Sequence, residues 1–221
     1  MALPHGGRDW CRRRLRAAAR STKDWGDDRV TPMSLDITSA DDLGSAVSVA
    51  ADVDLLINNA GIAPEGDSIT GSEDNLRRIF ETNFFGNLRV ANAFAPILAA
   101  NGGGAMLNVL SAASWISIPT AYAASKAAMW SATNGLRSAL RGQGTHVIGL
   151  QVGMIDTPMA ARWDVPKVTP ESVVTQAYDA VRDGSIEVIA DDWTGMVKAR
   201  MSDSAEEFYP WIDEVIGSIV V

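Results

Sequence analysis

Short apolar runs alternate with segments of helical periodicity along most of the chain. The apolar runs predict buried strands, which lie at Leu15–Ala19, Val30–Leu35, Asp54–Ile57, Ala105–Leu110, His146–Val152 and Ile186–Ala190. Apolar spacings of three and four predict helices, which lie at Ser39–Ala50, Ser72–Ala100, Tyr122–Arg141 and Thr169–Gly184, before a helical tail. Strands that alternate with helices predict an α/β fold with a doubly wound, mostly parallel sheet.

Polar or glycine-containing clusters directly follow four of the predicted strands. These clusters are Asp36, Asn58–Gly61, Ser111 and Gly153–Thr157. Functional groups of parallel α/β sheets gather at the carboxyl ends of the strands. We therefore expect a functional site at this edge of the sheet, although each cluster alone is also compatible with an ordinary turn or cap.

Tyr122 and Lys126 form the only Tyr-x-x-x-Lys in the chain. Four residues are about one helical turn, so the two side chains are predicted to share one face of a helix. An ammonium beside a phenol favours the phenolate, which predicts a Tyr122 pKa drawn from ~10 towards neutrality. Tyr122 would then serve as a proton donor or acceptor. A solvated helix face is the alternative interpretation of this pair.

Composition limits the classes of function. The chain has 221 residues, 47% of them hydrophobic and 21% charged, which predicts one α/β domain over residues 1–221 with residues 1–16 unassigned. A net charge of −8 argues against nucleic-acid binding, and no apolar run reaches the roughly 18 residues of a membrane span. Cys11 is the only cysteine, which fits a reducing, cytoplasmic compartment. His5 and His146 lie far apart without a cysteine partner, so no metal site is predicted.

In this order, the motifs resemble those of the short-chain dehydrogenase/reductase family, from about Ala17 to the last helix. The resemblance rests on Asn58-Asn59-Ala60-Gly61, Thr82-Asn83, Asn108 to Ser111, Tyr122 to Lys126, and Gly153 to Pro158. It implies a Rossmann-like fold and hydride transfer between a nicotinamide and a small carbonyl or alcohol substrate. The catalytic residues that it implies are Asn83, Ser111, Tyr122 and Lys126. Tyr122 would exchange the proton, Lys126 would lower its pKa and bind the ribose, Ser111 would hold the substrate oxygen, and Asn83 would support Lys126 through water.

The same resemblance assigns the cofactor-binding residues. They are Arg20, Asp36, Asn59, Ala60, Gly61, Tyr122, Lys126, Gly153 and Thr157. An arginine at the end of the predicted second strand resembles family members that prefer NADP, because a guanidinium pairs with the 2′-phosphate; NAD is the other option. Asp36 resembles the residue that contacts adenine.

One family feature is missing from the sequence. Members open with a strand, a Gly-x-x-x-Gly-x-Gly turn and a helix that bind the pyrophosphate, and no such glycine pattern occurs in this chain. Six arginines instead fall within the first twenty residues, at positions 8, 12, 13, 14, 16 and 20. A truncated or frameshifted reading frame, a degenerate relative and a targeting segment are the explanations left open. The corresponding alternatives for function are a catalytically silent remnant, an interaction protein or a dinucleotide-sensing regulator.

The family resemblance also predicts a homodimer or homotetramer. Phe84, Phe85 and Trp130 supply excess apolar bulk on the helices Ser72–Ala100 and Tyr122–Arg141, which relatives use for pairing. The substrate pocket is predicted to include Trp115 and Trp163, which favours an apolar carbonyl compound.

Overall fold

The computed structural model describes residues 30–116 and 118–220. They fall into two compact units, which are divided between Asp52 and Val53. The strand predicted at Leu15–Ala19 lies outside the described residues. The prediction of a single domain over residues 1–221 stays a prediction.

In the described part of the first unit, residues 30–52, the chain forms the helix α1 at Ala40–Val49. Its N-cap is Ser39, whose side chain accepts a hydrogen bond from the Asp42 backbone N–H, so the predicted helix start is confirmed. The strand predicted at Val30–Leu35 is wrong, because residues 30–36 have no regular secondary structure. An extended apolar segment becomes a strand only when successive residues bond to a neighbouring strand.

The second unit is built around a parallel sheet of four strands. The strands are β1 (Leu55–Asn58), β2 (Ala105–Val109), β3 (His146–Gln151) and β4 (Glu187–Ile189), in the spatial order β1-β2-β3-β4. The parallel α/β architecture predicted from the alternating pattern is thus confirmed. Among the described residues β1 is a terminal strand, and Ile57 is 44% exposed. The expectation that this strand is buried on both faces is therefore wrong at Ile57.

Helices and helical turns connect and cover these strands. They are α2 (Glu73–Phe80), a π-helical segment (Glu81–Gly86), α3 (Asn87–Ala100), a 3-10 turn (Ala112–Ser114), α4 (Ala121–Leu140), a second 3-10 turn (Arg141–Gln143), α5 (Pro170–Asp183), α6 (Asp192–Ala199) and α7 (Ala205–Val220). No helix among the described residues is long and apolar enough to cross a membrane. The single long helix predicted at Ser72–Ala100 is correct in extent, but the π-helical segment interrupts it.

Two features fix the register of the sheet at its edges. Asn58 Nδ2 donates to Asn108 Oδ1 (2.9 Å), and Asn108 Nδ2 donates to Thr133 Oγ1 (3.1 Å), which ties β1 and β2 to α4 through buried amides. Before β2, Gly103 and Gly104 adopt positive φ, and a Cβ at either position would clash with backbone. The network of Asn58, Asn108 and Thr133 selects one register of the strands, because a shift would leave these buried amides unpaired.

Two parts of the hydrophobic core, among the residues that the structure describes, lie close to the candidate site. One lies between the sheet and α5, with Ile148, Leu150, Val173 and Val188 among its buried residues. The other joins Ile116 to α6 and α7, and it contains Val197, Phe208 and Ile212. The first part includes buried residues of β2 and β3, the strands that precede Ser111 and Gly153, and the second part contacts Trp115.

Candidate active site

Tyr122 and Lys126 lie on the first two turns of α4. The helix begins after Thr120, whose Oγ1 accepts a hydrogen bond from the Ala123 N–H (3.1 Å). Tyr122 is half-buried, and Lys126 is only 6% exposed. Lys126 Nζ lies 5.8 Å from the centre of the Tyr122 ring and donates to the Val109 carbonyl oxygen at 2.8 Å. The alternative of a solvated helix face is excluded for Lys126 by its burial.

The electrostatics of this pair differ from the sequence-based expectation. Burial raises the pKa of the Tyr122 phenol above its ordinary value, and a hydrogen bond from Ser111 only partly offsets that rise. The prediction that Lys126 brings the Tyr122 pKa towards neutrality is therefore wrong for this structure. The reason is desolvation, which penalises both charged forms and lowers the pKa of Lys126 from 10.5 to about 8.

Ser111 follows β2 and meets Tyr122 through its side chain. Its side chain lies near enough to the Tyr122 phenol to lower the pKa of that group, and its hydroxyl accepts the Ala113 N–H at 3.1 Å. The Ser111 backbone N–H donates to Oε1 of the fully buried Gln151 at 3.1 Å. Ser111 and Tyr122 are eleven residues apart in the chain, and their side chains lie close together in the structure.

Asn83 lies in the π-helical segment and is 1% exposed. Its side chain accepts the Ile62 N–H (2.8 Å) and donates to the Ile62 carbonyl oxygen (3.0 Å). It also donates to Ser125 Oγ (3.1 Å), which in turn donates to the Tyr122 carbonyl oxygen (2.7 Å). Asn83 is therefore connected to the backbone of Tyr122 through Ser125, a route that the sequence did not predict.

The segment Asn59–Gly61 runs beside these residues. Asn59 and Ala60 are exposed, and the Ala60 carbonyl oxygen accepts a hydrogen bond from Asn87 Nδ2 at 3.0 Å. A Cβ at Gly61 would lie 3.4 Å from Asn83 Oδ1 and 3.9 Å from Lys126 Nζ. Glycine at this position therefore leaves the space beside the ammonium group free.

The loop Gly153–Thr157 is anchored at both ends. The Gly153 N–H donates to Asp191 Oδ2 at 2.6 Å, and a Cβ at Gly153 would come within 2.8 Å of Trp193. Further on, Asp156 N–H bonds the Val168 carbonyl oxygen, and Val168 N–H bonds the Met154 carbonyl oxygen, each at 2.9 Å. Thr157 Oγ1 donates to the Ile155 carbonyl oxygen at 3.3 Å.

One of the two residues assigned to the adenine half of the cofactor, Asp36, belongs to the first unit. Arg20 lies outside the described residues. Asp36 forms a local turn, in which its Oδ1 accepts from both the N–H (2.9 Å) and the hydroxyl (2.7 Å) of Thr38. Their assigned roles rest on the resemblance alone.

The two tryptophans that were expected in the substrate pocket have different surroundings. Trp115 meets Trp130 edge-to-face, with ring centres 6.3 Å apart, and Lys198 Nζ lies 4.7 Å from its ring centre. Trp163 stacks against the Arg162 guanidinium at 3.9 Å, and its carbonyl oxygen accepts from Lys167 Nζ at 2.6 Å. Trp115 packs against the part of the core that includes α6 and α7, whereas Trp163 lies beside the cationic side chains of Arg162 and Lys167.

Sequence reasoning missed three polar residues that contact the site, namely Asp67, Gln151 and Asp191. Gln151 accepts from the backbone of Ser111, Asp191 from that of Gly153, and Asp67 from that of Tyr122. All three act on a backbone N–H over a sequence separation of 38 to 55 residues. Of these three residues, only Gln151 could be linked to the site from the sequence, because it lies near the end of the strand predicted at His146–Val152.

The buried Lys126 ammonium predicts an unusual dependence of stability on pH. Because its folded-state pKa (about 8) is below the unfolded value of 10.5, the unfolded chain binds more protons between these values. We expect the free energy of unfolding to rise by up to about 1.4 kcal/mol per pH unit from pH 8 towards pH 10 through this group. Above pH 10 the raised pKa of Tyr122 acts in the opposite direction.

Lys126→Met should remove this rise. It should also stabilise the fold at pH 7 by up to about 3 kcal/mol, reduced by the hydrogen bond that the Val109 carbonyl loses. Urea unfolding of both proteins at pH 7 and pH 9 measures the two effects. Equal pH slopes in the two proteins would show that Lys126 is not the group responsible.

Comparison with known proteins identifies the family. The short chain dehydrogenase family model matches residues 9–167. "Short-chain dehydrogenase PC-15" of Penicillium crustosum is 34% identical over 145 residues, which are 59% of this chain and 50% of the relative. The 1-deoxy-11-beta-hydroxypentalenate dehydrogenase of Streptomyces exfoliatus is 32% identical over 169 residues, covering 69% of this chain and 62% of the relative. The chain thus spans between half and two thirds of the length of these curated relatives.

A solved structure gives the same result. The chain is similar to a short chain dehydrogenase from Burkholderia cenocepacia J2315, crystallised in complex with NADP, with a TM-score of 0.74 and 33% identity. The match covers 80% of this chain and 77% of that one. Together with the family model, it shows that this chain belongs to the short-chain dehydrogenase family.

Proposed function

We propose that this chain is an NAD(P)-dependent oxidoreductase that transfers a hydride between a nicotinamide and the carbonyl or alcohol carbon of a small molecule. The observation that carries the proposal is the placement of the Ser111 side chain beside the Tyr122 phenol, with the buried Lys126 ammonium 5.8 Å from the centre of the Tyr122 ring. In a member of this family, this arrangement supports the assigned catalytic roles of all three. Asn83, joined to Tyr122 through Ser125, completes the set.

The residues present suit the nicotinamide half of the cofactor. Gly61 leaves space beside Lys126 Nζ, and the loop Gly153–Thr157 is held in place by Asp191 and Val168. Lys126 would bind the ribose, and Asn59, Ala60, Gly61, Gly153, Thr157 and Tyr122 would contact the nicotinamide side. When bound, the cofactor supplies or accepts the hydride.

The protonation states favour reduction of a carbonyl. With its pKa raised by burial, Tyr122 carries its proton at neutral pH and is ready to give it to a developing alkoxide. Ser111 would donate a hydrogen bond to the same oxygen, as in other sites that stabilise a developing oxyanion. Lys126, with a pKa of about 8, remains mostly protonated at pH 7, so its ammonium would be available to bind the ribose.

NADP is the proposed cofactor in preference to NAD. The assignment of Arg20 to a 2′-phosphate and of Asp36 to adenine comes from the resemblance, and a similar solved structure is described as a complex with NADP. The proposed location is cytoplasmic, on the basis of the single cysteine.

The test of this function is NADPH consumption that depends on an added carbonyl compound. A panel of small ketones and aldehydes at high NADPH concentration should give oxidation above the rate without carbonyl, and parallel assays with NADH compare the two cofactors. A catalytically silent protein would show no carbonyl-dependent rate at any NADPH concentration.

We further propose that the protein forms a homodimer through the helical region from α2 to α3 and through α4. Phe85 is 47% exposed, and its ring lies 5.0 Å from that of Phe84.

Phe85→Glu should convert the dimer to a monomer in light scattering at micromolar concentration, because it places a charge in an apolar interface. Tyr178→Glu, which changes a 54% exposed side chain on α5, is the matched control and should leave the dimer intact. A wild-type monomer would contradict the proposal.

A further inference from the structure

A carboxylate from a distant loop contacts the first turn of the helix that carries Tyr122. Asp67 Oδ2 accepts the backbone N–H of Tyr122 at 2.8 Å, and Oδ1 accepts that of Ala121 at 3.2 Å. The two partners are 54 and 55 residues away in the chain. Asp67 is partly buried, so these are not surface contacts of an exposed side chain.

This carboxylate completes the capping of α4. The first four N–H groups of a helix have no partner within the helix. At α4 these are the N–H groups of Thr120, Ala121, Tyr122 and Ala123. The Ala123 N–H donates to the Thr120 hydroxyl, and the Thr120 N–H donates to the Ile118 carbonyl oxygen. Asp67 accepts the remaining two, those of Ala121 and Tyr122. The helix already has its N-cap residue in Thr120, so Asp67 supplies a second and separate support.

The loop that carries Asp67 is itself fixed against the entry to α4. The Ile69 N–H donates to the Pro119 carbonyl oxygen at 2.9 Å. Earlier in the same segment, Ile62 is held through its N–H and carbonyl by Asn83. The loop of Asp67 is therefore held by hydrogen bonds on both sides of this residue, and the carboxylate has a defined position relative to Tyr122.

The backbone of Tyr122 is thus held from both sides. Asp67 binds its N–H, and Ser125 Oγ, which accepts from Asn83, binds its carbonyl oxygen at 2.7 Å. The position of the Tyr122 hydroxyl depends on where this backbone lies, and misplacing a catalytic group by about 1 Å can cost 10²-fold in rate. A carboxylate at a helix N-terminus also favours the helix electrostatically.

We infer that Asp67 is a positioning residue for Tyr122, which fixes the first turn of α4 so that the phenol meets Ser111 and the substrate oxygen. The inference rests on the proposed function for its effect on catalysis. Its structural part, that Asp67 places the Tyr122 ring, is independent of activity.

Asp67→Ala should lower kcat by about tenfold or more while the KM for the carbonyl compound changes by less than threefold, at one fixed high NADPH concentration. Asp67→Asn keeps one acceptor oxygen and should retain more of the wild-type kcat than Asp67→Ala. Ser72→Ala is the matched control, because Ser72 Oγ caps α2 by accepting the Asn75 N–H at 3.3 Å. It should lower thermal stability without lowering kcat.

A second measurement does not require activity. The chain has three tyrosines, Tyr122, Tyr178 and Tyr209, so NMR of protein labelled at the tyrosine ring carbons should give three sets of signals, and Tyr122→Phe assigns one of them. In Asp67→Ala, the Tyr122 signal should shift while the other two remain in place. An unmoved Tyr122 signal, or an equal loss of kcat in Ser72→Ala, would overturn the inference. If no variant and no wild type reduces a carbonyl, the proposed function fails, and the NMR result alone decides whether Asp67 positions Tyr122.

Discussion

Tyr122→Phe is expected to reduce carbonyl reduction by about 10²–10⁴-fold, with little change in folding. The substitution removes the hydroxyl that would carry the transferred proton and keeps the ring, which is half-buried on α4. Ser111 retains its bonds to Ala113 and Gln151, so the substitution leaves the end of β2 in place. Steady-state rates at saturating carbonyl concentration measure the loss, and thermal unfolding monitors the fold.

Tyr178→Phe is the control for this change. It removes the same hydroxyl from an exposed position on α5, and it should leave the rate unchanged. A loss below about tenfold in Tyr122→Phe would remove Tyr122 from its assigned role, because a general acid that contributes so little is not the proton donor.

NADPH should bind to the 221-residue chain about a thousandfold more weakly than to a relative that has the glycine-rich turn. No Gly-x-x-x-Gly-x-Gly occurs in this sequence, so the pyrophosphate lacks the backbone N–H donors that this turn supplies. Charge-assisted hydrogen bonds contribute roughly 1.5–3 kcal/mol each, and about 1.4 kcal/mol is a tenfold change in affinity. The loss of two or three such bonds therefore gives the expected factor, which isothermal calorimetry measures.

Adding the missing element tests the cause of this weakness. Placing the strand, glycine turn and helix of a relative before Ala17 should restore NADPH binding and carbonyl reduction together. The same graft with its three glycines changed to alanine is the control, since a Cβ blocks the close approach of the backbone to the pyrophosphate. Micromolar binding by the 221-residue chain itself would contradict the prediction. In that case, the first candidates for another phosphate-binding site would be Gly6, Gly7 and the arginines at positions 12 to 14.

The sequence predicted the second unit well because its elements carry strong local signals. Thr169 and Pro170 predicted the start of α5, and the apolar runs before Asn58 and Ser111 predicted β1 and β2 to within one residue. Periodicity also predicted the long helical region from residue 72 to residue 100. It did not predict the π-helical segment, in which the i→i+5 hydrogen bonds place more residues in a turn than the period of 3.6 assumes.

The site was predicted less completely because its geometry depends on long-range contacts. The order of the motifs predicted that Asn83, Ser111, Tyr122 and Lys126 belong to one site. Asp67 and Asp191, in contrast, accept hydrogen bonds from backbone groups more than 35 residues away in the chain. A sequence pattern does not show which carboxylate reaches which N–H. The raised pKa of Tyr122 was missed for a related reason, since the degree of burial around a phenol follows from packing.

The most direct test of the central claim is the transfer of deuterium from NADPH that is deuterated at the reactive carbon of the nicotinamide. With the grafted chain and a reducible carbonyl compound, mass spectrometry of the alcohol product should find one deuterium on the former carbonyl carbon, and Tyr122→Phe should abolish product formation. Tight NADPH binding without any deuterium transfer to the panel of carbonyl compounds would contradict the assignment of Ser111, Tyr122 and Lys126 as a hydride-transfer site.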